Sequence, residues 1–124
     1  MKTTLQGLRT VLRENVCEIV FIRRRPKPGK PPMRRMLCTL DDRILNCENG
    51  RLALNYKPAG GPMPYNTDAK NLLPVWDIFM QDWRMVSMDN CDIVTTIKEQ
   101  DFWKYFNDTL LKMSPEQKIG YMDS

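Results

Sequence analysis

Residues 16–40 read VCEIVFIRRRPKPGKPPMRRMLCTL. In the first run, Cys17, Ile19 and Phe21 alternate with Glu18, Val20 and Ile22. That β-branched and aromatic pattern fits a strand covered on both faces at its start. In the last run, Met36, Cys38 and Leu40 share one face, and Arg35, Leu37 and Thr39 the other. Between the runs, Pro26, Pro28, Pro31 and Pro32 each remove a backbone donor, which excludes a central strand. The stretch 21–36 therefore reads as the end of a long β-hairpin with arginines on both arms.

Seven basic residues lie in 21–36 (Arg23, Arg24, Arg25, Lys27, Lys30, Arg34 and Arg35), and no acidic one. The whole chain has 19 basic and 15 acidic residues, net +4; without these seven it is left with 12 against 15, net −3. The positive character is thus confined to one element, as expected for a polyanion partner. Guanidinium groups there would supply phosphate contacts and planar stacking surfaces for single-stranded RNA or DNA. The plainer reading is a solvated hairpin whose lysine, arginine and proline guard a sheet edge.

Outward from the hairpin, Leu5, Leu8, Val11 and Leu12 recur at helical spacing, with Thr3 or Thr4 as N-cap, predicting a helix over 4–14. DDRILN (41–46) reads as a turn or one helical turn beginning at Asp41. Asn49-Gly50 is a strong turn pair before a strand over RLALNY (51–56). Residues 57–71, rich in proline and glycine, read as a surface loop. LLPVWDIFM (72–80) and DWRMVSMD (82–89) form a tight hairpin, and CDIVTTI (91–97) adds a strand. Thr96 and Glu99 match a capping box opening a helix over 97–113, with Phe102, Phe106, Leu110 and Met113 on one stripe. Ser114-Pro115 then stops it. The order helix, five or six short strands, helix predicts one α+β domain over 1–124: a strongly curved antiparallel barrel over 16–97, flanked by helices.

Two motifs carry a resemblance. MRRMLCTLDDRIL (33–45) and VWDIFMQDWRMVSMDNCDIV (75–94) resemble small bacteriophage proteins classed as WYL-like domains with a Sm-type, SH3-like barrel fold. Arg34, Met36, Cys38, Thr39 and Leu40 match the first motif; Val75, Trp76, Asp77, Trp83, Arg84, Asp89, Asp92 and Ile93 match the second. The similarity spans about 16–97 and departs in the insertion at 57–71 and in Asn90-Cys91 before Asp92. It implies a Sm- or SH3-like barrel in a phage accessory protein of the host cytoplasm, binding nucleic acid or another charged ligand.

The chain has no histidine, which removes the usual general base near neutral pH and every Ser-His or Cys-His nucleophile. No spacing assembles nucleophile, base and orienting group, so a non-enzymatic role is expected. Cys17, Cys38, Cys47 and Cys91 form no C-x-x-C pair, and the expectation is buried reduced thiols without metal or cofactor. Asp41, Asp42, Asp89 and Asp92 match no calcium loop. Neither a secretory signal nor an apolar run of membrane-spanning length is present, which points to the cytoplasm and away from membranes.

Trp76 and Trp83 sit near the two ends of the later hairpin; core is the expected role, stacking of bases the second. Asp77 and Arg84 are expected to pair across that hairpin. The leading function is nucleic-acid binding through the basic hairpin. The alternative is a module that engages a host or phage protein with no nucleic-acid ligand, through the hairpin or the aromatic DFWKYF helix (101–106). Oligomeric state stays open, homo-oligomers included.

Overall fold

The computed structural model describes residues 3–23, 28–29, 32–59, 67 and 69–122. The protein is an α+β fold whose five strands are β1 (Asn15–Ile22), β2 (Met33–Thr39), β3 (Leu72–Asp77), β4 (Asp82–Ser87) and β5 (Cys91–Lys98). They form one antiparallel sheet in the order β4-β3-β2-β1-β5. Among the described residues five helices flank it: α1 (Leu5–Leu12), α2 (Asp42–Leu45), α3 (Glu48–Ala53), α4 (Glu99–Asp108) and α5 (Pro115–Met122).

The sheet ladder is open, with β4 and β5 at its two edges, where the sequence pattern predicts a closed barrel. Yet those edges are joined by only one 3-10 turn, Met88–Asn90. In a flat five-stranded sheet the outer strands would lie roughly 19 Å apart. The four steps from Ser87 to Cys91 reach about 14 Å at most. The sheet must therefore curl, bringing β4 and β5 toward each other near that turn.

Curling divides the apolar residues into two cores. Cys17, Ile19, Phe21, Met36, Cys38, Leu73, Val75, Val86 and Cys91 fill one face of the sheet, closed by Leu5, Leu8 and Leu12 of α1. Val16, Leu37 and Trp76 point the other way, into a second cluster with Ile44, Leu45, Leu54, Phe102, Phe106 and Leu110. Thr39, wholly buried, joins the layers: its hydroxyl donates to the Asn15 carbonyl at 2.8 Å and accepts from the Asp41 amide at 3.0 Å.

Local signals set most boundaries. Thr4 caps α1 by accepting from the Gly7 amide at 3.0 Å, so the helix is shorter than the predicted 4–14. Asp41 caps α2 in the same way through the Arg43 amide. Pro74 sits opposite Met85 of β4, in the part of β3 that β2 does not pair, which tolerates its missing donor.

Three local expectations are overturned. Asn49-Gly50 is no hairpin turn: Glu48–Ala53 is helical, opened by the Cys47 thiol, which accepts from the Gly50 amide at 3.3 Å. Gly50 is required there because a Cβ would lie 2.2 Å from the Leu45 carbonyl oxygen and 2.3 Å from that of Ile44. The Thr96–Glu99 box does not form, since pairing with β1 continues through Ile97 and Lys98, and Lys98 precedes α4 without a side-chain cap. The reciprocal box occurs instead at Ser114 and Gln117, with Pro115 first in α5. The predicted 97–113 helix accordingly starts at Glu99 and divides into α4 and a 3-10 turn at Leu110–Lys112, with α5 following the stop at Ser114-Pro115.

Candidate nucleic-acid interface

The hairpin register pairs Ile22 with Met33, and one further bond, from the Arg23 amide to the Pro32 carbonyl at 2.8 Å, continues it. Of the seven basic residues, Arg24, Arg25, Lys27 and Lys30 lie outside the described residues. Arg23 is half-buried at the end of β1. Beside it, a polar cleft of about 350 Å³ is lined by Ile22, Arg23, Lys70, Leu72, Ser87 and Asp89 together with Asn90. This cleft adds Lys70, from the connection before β3, to the cationic end of the sheet.

Arg34 and Arg35 belong instead to the body of the fold. Arg34 donates to Asp77 Oδ2 at 2.7 Å, and the Asp77 side chain is only 1% exposed. Asp77 Oδ1 also accepts from the amides of Phe79 and Met80, holding the β3–β4 turn. Burial pushes the Asp77 carboxyl above the usual aspartate range, against the opposing pull of the Met80 amide and of Arg34. Arg35 reaches Glu18 Oε2 at 3.5 Å and lies over the ring of Tyr121 at 5.7 Å. The Tyr121 hydroxyl donates to the same carboxylate, and burial, reinforced by Glu18, raises its pKa far above the usual tyrosine range. Met122 Sδ lies 3.6 Å from Arg34, so α5 rests on the base of the hairpin through its last two residues.

The expected Asp77–Arg84 pair does not form. The register sets Arg84 opposite Val75 and Asp77 opposite Asp82, and Arg84 turns to Asp82 at 3.6 Å. Trp76, 1% exposed, is core, and its ring meets those of Tyr56 and Trp83 edge-on at 5.1 and 5.6 Å. Trp83 is half-buried and donates through Nε1 to the Lys57 carbonyl at 2.9 Å. Part of its surface is accessible, unlike that of Trp76.

Sequence reading missed Glu18, Asp77 and Tyr121 as partners of the arginines. Only Glu18 leaves a local trace: once Ile22 is set against Met33, Glu18 and Arg35 become diagonal neighbours across the hairpin. Among the described residues, no cluster of three or more cysteine or acidic side chains is placed to hold a metal ion. No helix there is long and apolar enough to cross a membrane.

No protein-family model matches the chain, and it has no match among the curated proteins or the solved structures.

Proposed function

We propose that this chain is a non-enzymatic accessory protein that binds single-stranded RNA or DNA through the connection between β1 and β2. Arg23, Arg24, Arg25, Lys27 and Lys30 are the contact residues, and the curled sheet with α1 across it serves as a small Sm- or SH3-like barrel. One observation carries this reading. Arg34 and Arg35 are matched by Asp77 and Glu18, whereas the sequence offers no acidic residue from 19 to 40. Five cations within residues 23–30 thus have no carboxylate of their own segment to offset their mutual repulsion, and a polyphosphate backbone relieves it. Lys70 lines the same cleft as Arg23, together with Asp89.

The test is fluorescence anisotropy with a labelled single-stranded 20-mer across a salt series. Five phosphate contacts correspond to a slope of log K against log salt of about −3.5. Replacing Arg23, Arg24 and Arg25 by alanine should flatten that slope by about two. Arg34→Met should leave it unchanged, because that charge is already matched. Absence of salt-sensitive binding to either RNA or DNA refutes the proposal.

A further inference from the structure

β5 is an edge of the sheet with a different character from β4, the other edge. Its inner side pairs with β1. On its outer side the Cys91 carbonyl accepts from the Thr3 amide at 2.8 Å, but Ile93–Lys98 meet no second strand among the described residues. Val94, Thr95 and Thr96 are exposed, and no charge falls between Asp92 and Lys98. β4 carries Asp82 and Arg84, the kind of charge that discourages edge pairing. A bulge at Val94, where pairing shifts from Glu18–Thr95 to Ile19–Ile93, leaves Thr95–Lys98 as the regular part of the edge.

Beside that part lies a groove of about 330 Å³ lined by Glu18, Leu37, Thr95, Ile97, Asp101 and Tyr105. Leu37, Ile97 and the Tyr105 ring make it largely apolar, and its two charged lining residues are both carboxylates. Glu18 Oε1 accepts from Thr95, while Oε2 is engaged from outside the groove by Arg35 and Tyr121. Asp101, exposed in the first turn of α4, has no ion pair among the described residues. Burial and the charge of Glu18 both raise the Tyr105 hydroxyl pKa, in keeping with a poorly hydrated, negative setting.

We infer that the β5 edge and this groove form a docking site for an extended peptide segment that carries lysine or arginine. The segment adds as a sixth strand along Thr95–Lys98, its backbone taking up the open donors and acceptors. A cationic side chain on the groove-facing side lays its methylene stem over Ile97 toward the Tyr105 ring. Its charge falls between Glu18 and Asp101. Chemistry selects this occupant. A polyanion is repelled by both carboxylates, and an apolar side chain would cover Asp101 without a counter-charge. The β5 edge of a second copy carries one cation, Lys98, at its end beside α4, and none from 93 to 97. The site is thus independent of the cationic connection and selects the opposite charge.

The probe is an acetylated, amidated peptide of alternating threonine and valine with one central lysine, titrated into the ¹⁵N-labelled full chain at low salt. Shifts should concentrate on Thr95–Lys98 and the first turn of α4. Norleucine in place of the lysine should weaken binding at least tenfold, and Asp101→Asn about fivefold. N-methylation of alternate peptide amides should abolish binding in the phase that faces β5 and largely spare it in the other phase, leaving the protein untouched. The inference is overturned by absence of shifts, by shifts elsewhere, by equal binding of the norleucine peptide, by equal effects of N-methylation in the two phases, or by a β5-paired dimer that excludes the peptide.

Discussion

The Arg34–Asp77 pair should be the strongest single polar determinant of stability, and a double-mutant cycle of Arg34→Met and Asp77→Asn measures it. At pH 7.5, Asp77→Asn keeps an oxygen for the Phe79 and Met80 amides but turns an NH₂ toward the guanidinium, which loses its counter-charge. Breaking a buried pair from one side costs about 3–5 kcal/mol. Arg34→Met leaves a carboxylate that is 1% exposed, held by two amides alone. Because burial already raises the Asp77 pKa in the folded state, that carboxyl can escape by taking a proton. A raised folded pKa favours folding fully only below the unfolded value, and that contribution is lost as pH rises through the folded value. Losing Arg34 raises it further, so the deficit of Arg34→Met should shrink on acidification from pH 7.5 to 5.0. The double variant should recover part of both losses, with a coupling of about 2 kcal/mol. Urea unfolding followed by tryptophan fluorescence, with Trp76 next to Asp77 in sequence, reads all four proteins. A coupling below about 0.5 kcal/mol, or an Arg34→Met deficit equal at the two pH values, refutes the reasoning.

Gly50→Ala should lower stability by about 3 kcal/mol, the upper end for overpacking, because the colliding atoms are the Ile44 and Leu45 carbonyl oxygens rather than flexible side chains; a thermal shift equivalent to under about 1 kcal/mol would contradict the α2–α3 packing. Burial pushes Cys17 up to about 11, Cys91 up to about 12 and Cys38 well above the ordinary thiol range, so at pH 8 their reactive thiolates are scarce. Half-buried Cys47 should react first with a thiol reagent and the other three only on unfolding, and rapid modification of more than one thiol in the native protein would refute this.

Much of the sheet is legible because its signals are local. Alternation in 16–22 and 33–40 marks two strands whose faces enter two different cores, as Cys17 and Leu37 show. Thr4, Asp41 and Pro115 mark helix starts through groups next to the helices they open. The failures are contests between a local signal and a distant one. Asn49-Gly50 has turn propensity, but contact with the carbonyls of α2 places that glycine in a helix. Thr96 and Glu99 have capping-box spacing, but pairing of Ile97 with Val16, far away in sequence, keeps the strand intact. The open ladder follows from the order of all five strands, which no single segment encodes.

The candidate site divides along the same line. In sequence the seven cations of 21–36 are equivalent, and only the fold separates them. Asp77 comes to Arg34 because β3 is laid beside β2, and Tyr121 comes to Arg35 because α5 folds back over that strand. Both neutralising contacts lie at the base of the hairpin, on β2, while the other five cations of the stretch fall within residues 23–30 of the sequence. The groove between β5 and α4 keeps two carboxylates on a body that is net −3 without the hairpin's seven cations. A chain with excess charge of one sign throughout would recruit one kind of partner and repel the other. Here opposite charges are carried on separate elements, so a polyphosphate and a basic peptide need not compete for one surface. Salt should weaken both proposed interactions and cannot tell them apart. Their independence rests on β1 sending its cations out from one end, at Ile22, while β5 turns into the acidic first turn of α4 beside the other end, at Asn15.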